Sequence, residues 1–565
     1  MFIYKVAILI VLGALIKGDL PEDDFRIINR QDLLATDSDI FEDKEASAFS
    51  QLLFDVARDQ VIVGARDTLY RLSLRGLRPL ERSEWPAAPD KTRLCQVKGQ
   101  TEEDCHNYIK VLLSYGHKLF ACGTNAFSPM CSWREIEEIR NVSEWLPGVV
   151  LCPHSPHSNV TALLASNGEY YAGTPTDFAS SDTTVSRSRG AAAVDTGMLR
   201  TTQYDLNWLN EPHFVGSFED DYYVYFVFRE VAVEHLNCGK TIYSRIARVC
   251  KNDSGGHRVM RHNWSTFLKA RLTCPVPGDI PFYYDEVQSV EYIPQEKILV
   301  ATFTTLTNSI TGSAVCIYNM SDVRAAFEGP YKVQTSPSAA WEPRAPSHES
   351  REHFRCATDT RTHETMEFQR YQLMYESIRP ISGEPVYKVT SQRFTHVTVD
   401  VTKTKQMEKQ LVVFVATQNS DVIKLAILPR YEGACLVEIW KLKDANGAID
   451  ILTMQFVKDT WTVAGHHGRD GSDACRRAHR LLHMQTTSPT CVCVVHVAAT
   501  IQSQLMVDSH VKARVYQWRT ARLTAAGRHG RAGLSAAPPA ASPSSPAAAP
   551  APRPSPSTAA ESASA

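Results

Sequence analysis

What most restricts the folds open to this chain is a recurrence of short apolar strands joined by tight turns, running from Gln51 to Ile427. QLLFDV (51–56), VIVGAR (61–66) and LYRLSL (69–74) are separated only by ARDQ and by Asp67-Thr68. YIKVLLSYGHKLFA turns at Tyr115-Gly116-His117, and TALLAS (161–166) meets EYYAG (169–173) at Asn167-Gly168, a pair that predicts a type I′ hairpin. FVGSF and YYVYFVF flank Glu219-Asp220-Asp221. KILVATFTT (297–305) pairs with SAVCIYN (313–319), and FTHVTVDV (394–401), LVVFVAT (411–417) and DVIKLAI (421–427) follow. Helical patterns are few: Ser132–Ile139 and Val323–Phe327 are the two segments expected to be short helices. So many antiparallel strands cannot form one open flat sheet; they must close or repeat radially. At roughly 60 residues per unit the pattern predicts an all-β fold, a seven-bladed β-propeller with four strands per blade. No Gly-His…Trp-Asp repeat is present, which argues against a WD40 propeller.

The net charge is −2, so neither a nucleic-acid footprint nor a polybasic membrane patch is expected. Lys5, the apolar run Val6–Ile16 and the small residue Gly18 read as a secretory signal peptide over residues 1–18. Its apolar core is too short to cross a bilayer and no later run reaches spanning length, so the chain as written is expected to be released to the extracellular space. There, disulfides are the default state for the 14 cysteines. Asn141, Asn159, Asn252, Asn263 and Asn319 begin N-x-S/T sequons. Asn252 lies in a tight turn and Asn263 abuts Trp264, which leaves Asn141, Asn159 and Asn319 as the glycosylation candidates.

Catalytic and metal chemistry find no support. His348-Glu349 and His353 imitate a zinc-binding helix, but histidines five apart lie about 140° apart around a helix, off a common face. His363-Glu364 lacks a second histidine, and His466-His467 falls in an anomalous basic segment. There is no nucleophile elbow, phosphate loop or dinucleotide fingerprint. Asp220-Asp221 and Asp285-Glu286 read as solvated turns, and Tyr222, Tyr223, Tyr225, Phe226 and Phe228 as strand faces. No catalytic, cofactor or metal residue is therefore assigned.

The richest segment is YFVFREVAVEHLNCGKTIYSRIARVCKNDSGG (225–256), where a strand-like run meets Arg229-Glu230 and a second strand ends at a Cys-Lys-Asn-Asp turn followed by Gly255-Gly256. It resembles the signature of the semaphorins. CGTNAFSPMC (122–131), NGEYYAGTPTDF (167–178), LRTTQYDLNWLNEPHFV (199–215), NWSTFLKARLTC (263–274), FYYDEVQS (282–289), NSITGSAVCIYNMS (308–321) and RFTHVTVD (393–400) are similar to semaphorin segments in the same order. CPHSPHSNVTALL (152–164) and EHLNCGKTIYSR (234–245) resemble class 5 members, and the likeness runs from Phe25 to Gly465. It implies a seven-bladed sema domain over 25–465 that binds plexin receptors, homodimerises through the propeller and acts in axon guidance and cell migration. It implies disulfides Cys95–Cys105, Cys122–Cys131, Cys250–Cys356 and Cys274–Cys316. Cys152 and Cys238 are candidates for a further pair, and Cys435, with no obvious partner, reads as a buried thiol. Rival readings are a truncated soluble decoy, a receptor-type sema protein and a propeller enzyme.

Past Gly465 the resemblance stops. Class 5 members continue with a last strand, a cysteine-rich module, thrombospondin-type repeats and a membrane span. Residues 466–534 match no such pattern, and 535–565 are almost entirely Ala, Pro and Ser, a composition expected to be disordered. The last blade is thus at risk of being incomplete. VCVVHVAATI (492–501) could supply a strand, but its flanks lack turn signals, which weighs against it.

Overall fold

In a computed structural model, the described residues are 25–36, 38–43, 48–188, 198–256, 260–336, 339–356, 372–402, 407–443 and 450–458, with the strands at 490–498 and 512–519. Within them, seven sheets of four or more strands follow one another. Their first strands are Gln51–Asp55, Ile109–Tyr115, Thr161–Leu164, His213–Glu219, Glu286–Ile293, Phe394–Thr402 and Asp450–Lys458. Each neighbours the next, and Asp450–Lys458 returns to Gln51–Asp55, so the ring closes. Gln455 Nε2 donates to Leu52 O at 3.3 Å across that closing seam. The fold is the expected seven-bladed propeller.

Strand periodicity explains how the ring coheres. In Tyr223–Val231 the side chains of Tyr223, Tyr225 and Val227 enter a cluster shared with the fifth blade, while Val224, Phe226 and Phe228 enter one shared with the third. Leu411, Val413 and Val415 likewise face the fifth blade, and Val412, Phe414 and Ala416 the seventh. A blade's inner strands are buried on both faces and so read as continuous apolar runs. One such cluster occupies each seam between successive blades.

Two additions depart from a plain four-stranded repeat. The N-terminal segment lays Arg26–Asn29 parallel to Ala434–Lys441 on the outer edge of the sixth blade, and Ser38–Glu42 antiparallel to Lys512–Arg519 on the outer edge of the seventh. Between the third and fourth strands of the fifth blade, Ser313–Asn319 and Tyr387–Val389, the chain makes an excursion. Its Leu373–Ile378 strand adds parallel to Leu268–Leu272 of the fourth blade, followed outward by Tyr331–Gln334 and Trp341–Arg344.

Several expectations are corrected. The seventh blade is not short of strands: Thr490–Ala498 lies between Asp450–Lys458 and Lys512–Arg519, so VCVVHVAATI does contribute and pairing continues beyond Gly465. Ser132–Ile139 is not helical. Met130–Glu135 and Glu138–Pro147 pair as a hairpin, with Arg134 buried against the rings of Trp85 and Trp145, which meet edge to face. Asn167-Gly168 is not type I′: only Gly168 has positive φ, and Ala165 bonds both Gly168 and Glu169, a four-residue turn with a left-handed glycine. Val323–Phe327 does lie in a helix, Met320–Glu328, capped by Asn319. The leader at 1–18 and the tail at 535–565 lie outside the described residues.

Candidate functional site: the clamp on the fourth blade

The signature segment forms the second and third strands of the fourth blade, with Tyr223 opposite Cys250 and Val231 opposite Ile242. Arg229-Glu230 interrupts an otherwise apolar strand because Glu230 organises a buried ion network. Its side chain is 0% exposed; Oε1 accepts from Arg245 Nε at 3.0 Å and Lys269 Nζ at 2.6 Å, and Oε2 from the Asn210 amide at 3.1 Å. Glu234 Oε2 accepts from the other arm of Arg245 at 2.6 Å, and Lys332 of the excursion approaches it at 3.9 Å. Burial works to raise the Glu234 pKa, but Arg245 outweighs it and holds the carboxyl at about 2. Burial lowers the Lys269 pKa in spite of Glu230, and its ammonium also donates to Trp208 O at 2.9 Å.

Beyond Cys250 the chain wraps around Asp253, which is 1% exposed. Its carboxylate accepts from the Gly255 amide at 2.8 Å, from the amide and hydroxyl of Ser265 at 3.0 and 2.8 Å, and from those of Thr266 at 2.8 and 2.6 Å. Gly255 has φ +85°, and a Cβ there would strike the Arg261 carbonyl, so the turn requires glycine.

Onto this frame the excursion is clamped. Cys250 is bonded to Cys356, with Cα atoms 5.7 Å apart. Phe354 O accepts from Tyr223 Oη and Arg248 Nη2, both at 3.2 Å. Asn252 Nδ2 donates to Cys356 O at 3.0 Å, and His353 Nε2 contacts Ser265 O at 2.9 Å. Arg248 lies 4.2 Å from the Tyr223 ring and 4.5 Å from that of Phe327. Cys274–Cys316 ties the exit of the fourth blade to the third strand of the fifth. The result is a fixed surface in which two blades and an inserted arm behave as one body. Such cross-linking of neighbouring elements suits a binding surface.

The other site residues are placed as follows. Cys95 and Cys105 are disulfide-bonded in the linker between the first and second blades, and Cys122 and Cys131 are bonded cross-strand partners. Cys152 is a free, buried thiol pushed well above its ordinary pKa by burial, so no Cys152–Cys238 bridge forms. Cys435 is disulfide-bonded and not a free thiol. Asn141 and Asn159 are exposed; Asn319 is half-buried, its Oδ1 accepting from the Ser321 amide at 2.9 Å. His348 and His353 lie on a helix, His348–Phe354, with His353 buried; His363 and His466 lie outside the described residues. Asp220 is not merely solvated: it accepts from Arg324 Nη2 at 3.0 Å and Tyr225 Oη at 3.1 Å. Among the described residues no His, Cys, Asp or Glu cluster could hold a metal, and no helix is long and apolar enough to cross a membrane.

Sequence reasoning missed a set of exposed apolar residues on two loops. Ile280 and Ile310 are 90% and 85% exposed, beside Phe282 and Leu306. Phe282 packs edge-on against Tyr284 at 5.2 Å, and Tyr284 abuts Gly312, which brings the two loops together. Isoleucines between Asp279 and Pro281, and between Ser309 and Thr311, were the available signal, being apolar residues within turn-forming stretches.

Comparison with known proteins agrees with this architecture. The Sema domain family matches residues 285–455. Semaphorin 5c of Drosophila melanogaster is 48% identical over 446 residues, covering 78% of this chain and 40% of that protein, so the chain spans well under half of that relative's length. Among solved structures, the extracellular domains 1–2 of Drosophila semaphorin 1a superpose with TM-score 0.65 at 33% identity, covering 77% of this chain and 85% of that one. The structure described as Drosophila plexin A in complex with semaphorin 1b gives TM-score 0.67 at 29% identity, covering 85% of this chain and 86% of that one. This chain belongs to the semaphorin family, on its class 5 branch.

Proposed function

We propose that this chain is an extracellular guidance cue that binds plexin receptors through its propeller and acts in axon guidance and cell migration. The observation that carries this reading is the likeness to a semaphorin solved in complex with plexin A, together with the disulfide-clamped surface on the fourth blade. It acts as a ligand, not a catalyst. A leader at 1–18 directs export, glycans at Asn141, Asn159 and Asn319 decorate the body, and residues 25–465 form most of the propeller.

The exposed Ile280, Phe282, Leu306 and Ile310, carried on two adjoining loops, support a homodimer, since such apolar side chains favour burial against a second copy. A dimer would link two receptors and turn modest single-site affinity into avidity. The test is binding of purified secreted chain to cells expressing each plexin in turn. Saturable binding over untransfected cells is expected, with Ile280→Asp/Ile310→Asp giving a monomer by light scattering and weaker apparent affinity. Folded, glycosylated material that binds no plexin-expressing cell would overturn the reading. Binding without growth-cone response would assign it instead to the decoy class.

A further inference from the structure

The turn between Glu219 and Tyr223 carries a group that the packing of the fourth blade leaves unused. Tyr222 is 64% exposed, and among the described residues no hydrogen bond engages its hydroxyl. Its neighbours differ: Tyr223 and Tyr225 are buried, and their hydroxyls are bound to Phe354 O and Asp220 Oδ2. Three carboxylates, Glu219, Asp220 and Asp221, directly precede Tyr222. Asp220 holds the turn in shape, its Oδ1 accepting from the amides of Tyr222 at 3.0 Å and Tyr223 at 2.9 Å, so the Tyr222 ring projects outward. Asp221 is exposed, and Glu219 is shared between Lys251 and Ser166.

We propose that Tyr222 is a tyrosine sulfation site, a reading that rests on export through the secretory route. An enzyme that transfers a sulfuryl group must hold a polyanionic phosphosulfate donor on cationic side chains. An acceptor preceded by carboxylates docks on the same basic rim, as complementary charge requires. The other exposed tyrosines lack this flank: Tyr115 follows Leu-Leu-Ser, Tyr204 follows Thr-Thr-Gln and Tyr375 follows Gln-Leu-Met. In the transfer the phenolic oxygen bonds to sulfur, the sulfur–oxygen bond to the nucleotide phosphate breaks, and the phenolic proton passes to a base on the transferase. The product places a permanent negative charge and further acceptor oxygens on the turn, a feature suited to an arginine-rich partner surface.

The test is peptide mass spectrometry of chain recovered from the medium of sulfation-competent cells. The Tyr222 peptide is expected to carry one SO3 increment that is lost as neutral SO3, resists phosphatase, disappears after growth in chlorate and is absent from Tyr222→Phe. Asp221→Asn should lower the modified fraction several-fold. Unmodified Tyr222, a phosphatase-sensitive group, or SO3 confined to another tyrosine overturns the proposal. Because secretion itself could fail, folded chain is also treated with purified tyrosine sulfotransferase and its phosphosulfate donor. Incorporation at Tyr222 sustains the site independently of export. No incorporation while a control peptide is modified refutes it.

Discussion

Glu230→Gln should destabilise the propeller far more than a one-atom change suggests. Glu230 lies 3.0 Å from Arg245 and 2.6 Å from Lys269, and all three side chains are at most 1% exposed. At an effective dielectric of about 20, each contact has a gross attraction of about 6 kcal/mol, set against several kcal/mol of desolvation per ion. Glutamine keeps the shape but removes the charge. Arg245 then retains Glu234 as its carboxylate partner, while Lys269 retains the Trp208 carbonyl but no carboxylate at salt-bridge distance. Breaking one side of such a buried pair costs about 3–5 kcal/mol. Unfolding entropy of about 2.1 cal/mol/K per residue over a body of roughly 400 residues makes that about 4–6 °C in Tm. Thermal unfolding of secreted material by circular dichroism reads it directly. The double variant Glu230→Gln/Lys269→Met, which removes both charges, should recover part of the loss, and the cycle gives the coupling. A Glu230→Gln Tm within 1 °C of the parent would show that the network is solvated and the reasoning wrong; strict additivity would remove the coupling.

Replacing Cys250 and Cys356 together by alanine opens a loop of 106 residues and should cost about 5 kcal/mol, with new protease cuts between 320 and 386 in limited digestion. Glu291 on the inner strand of the fifth blade has its carboxyl pushed up to about 7 by burial, with Asp400 adding to the rise against bonds from Thr398 and Val399. Its folded pKa is raised, so the folded state keeps a proton the unfolded chain has lost, and stability falls as pH rises from about 4.5 to 7. Glu291→Gln should therefore raise Tm at pH 8 and change it little at pH 4. Equal shifts at both would refute the assignment.

The blades were legible because each hairpin is local and each inner strand is doubly buried, as YVYFVF and LVVFVA declare. What stayed hidden was non-local or ambiguous. Ile136 and Ile139 stand three apart among Glu135, Glu137, Glu138 and Arg140, which mimics a helical face. Ile136 instead sits in the hairpin turn and Ile139 in the strand after it, and the cross-strand bond Cys122–Cys131 with the Trp85–Arg134–Trp145 cluster decides for strand. Leu373–Ile378 joins a blade other than the one it leaves, and no local signal marks a parallel addition of that kind. At the clamp, the Cys-Lys-Asn-Asp turn was readable as a turn, whereas four of the five bonds converging on Asp253 come from Ser265 and Thr266, a dozen residues on. The isolated charges at Arg229-Glu230 were visible, but their partners Arg245 and Lys269 were not.

Ser38–Glu42 sits against Lys512–Arg519 in the seventh blade. A stretch that precedes the first blade is therefore seated only once the seventh has formed. Until the distal strands have emerged, it has no bed, and six finished blades must wait with an open gap and a bare edge. While the six blades between are made the gap stays open, and it closes in the single event that pairs the two distant strands.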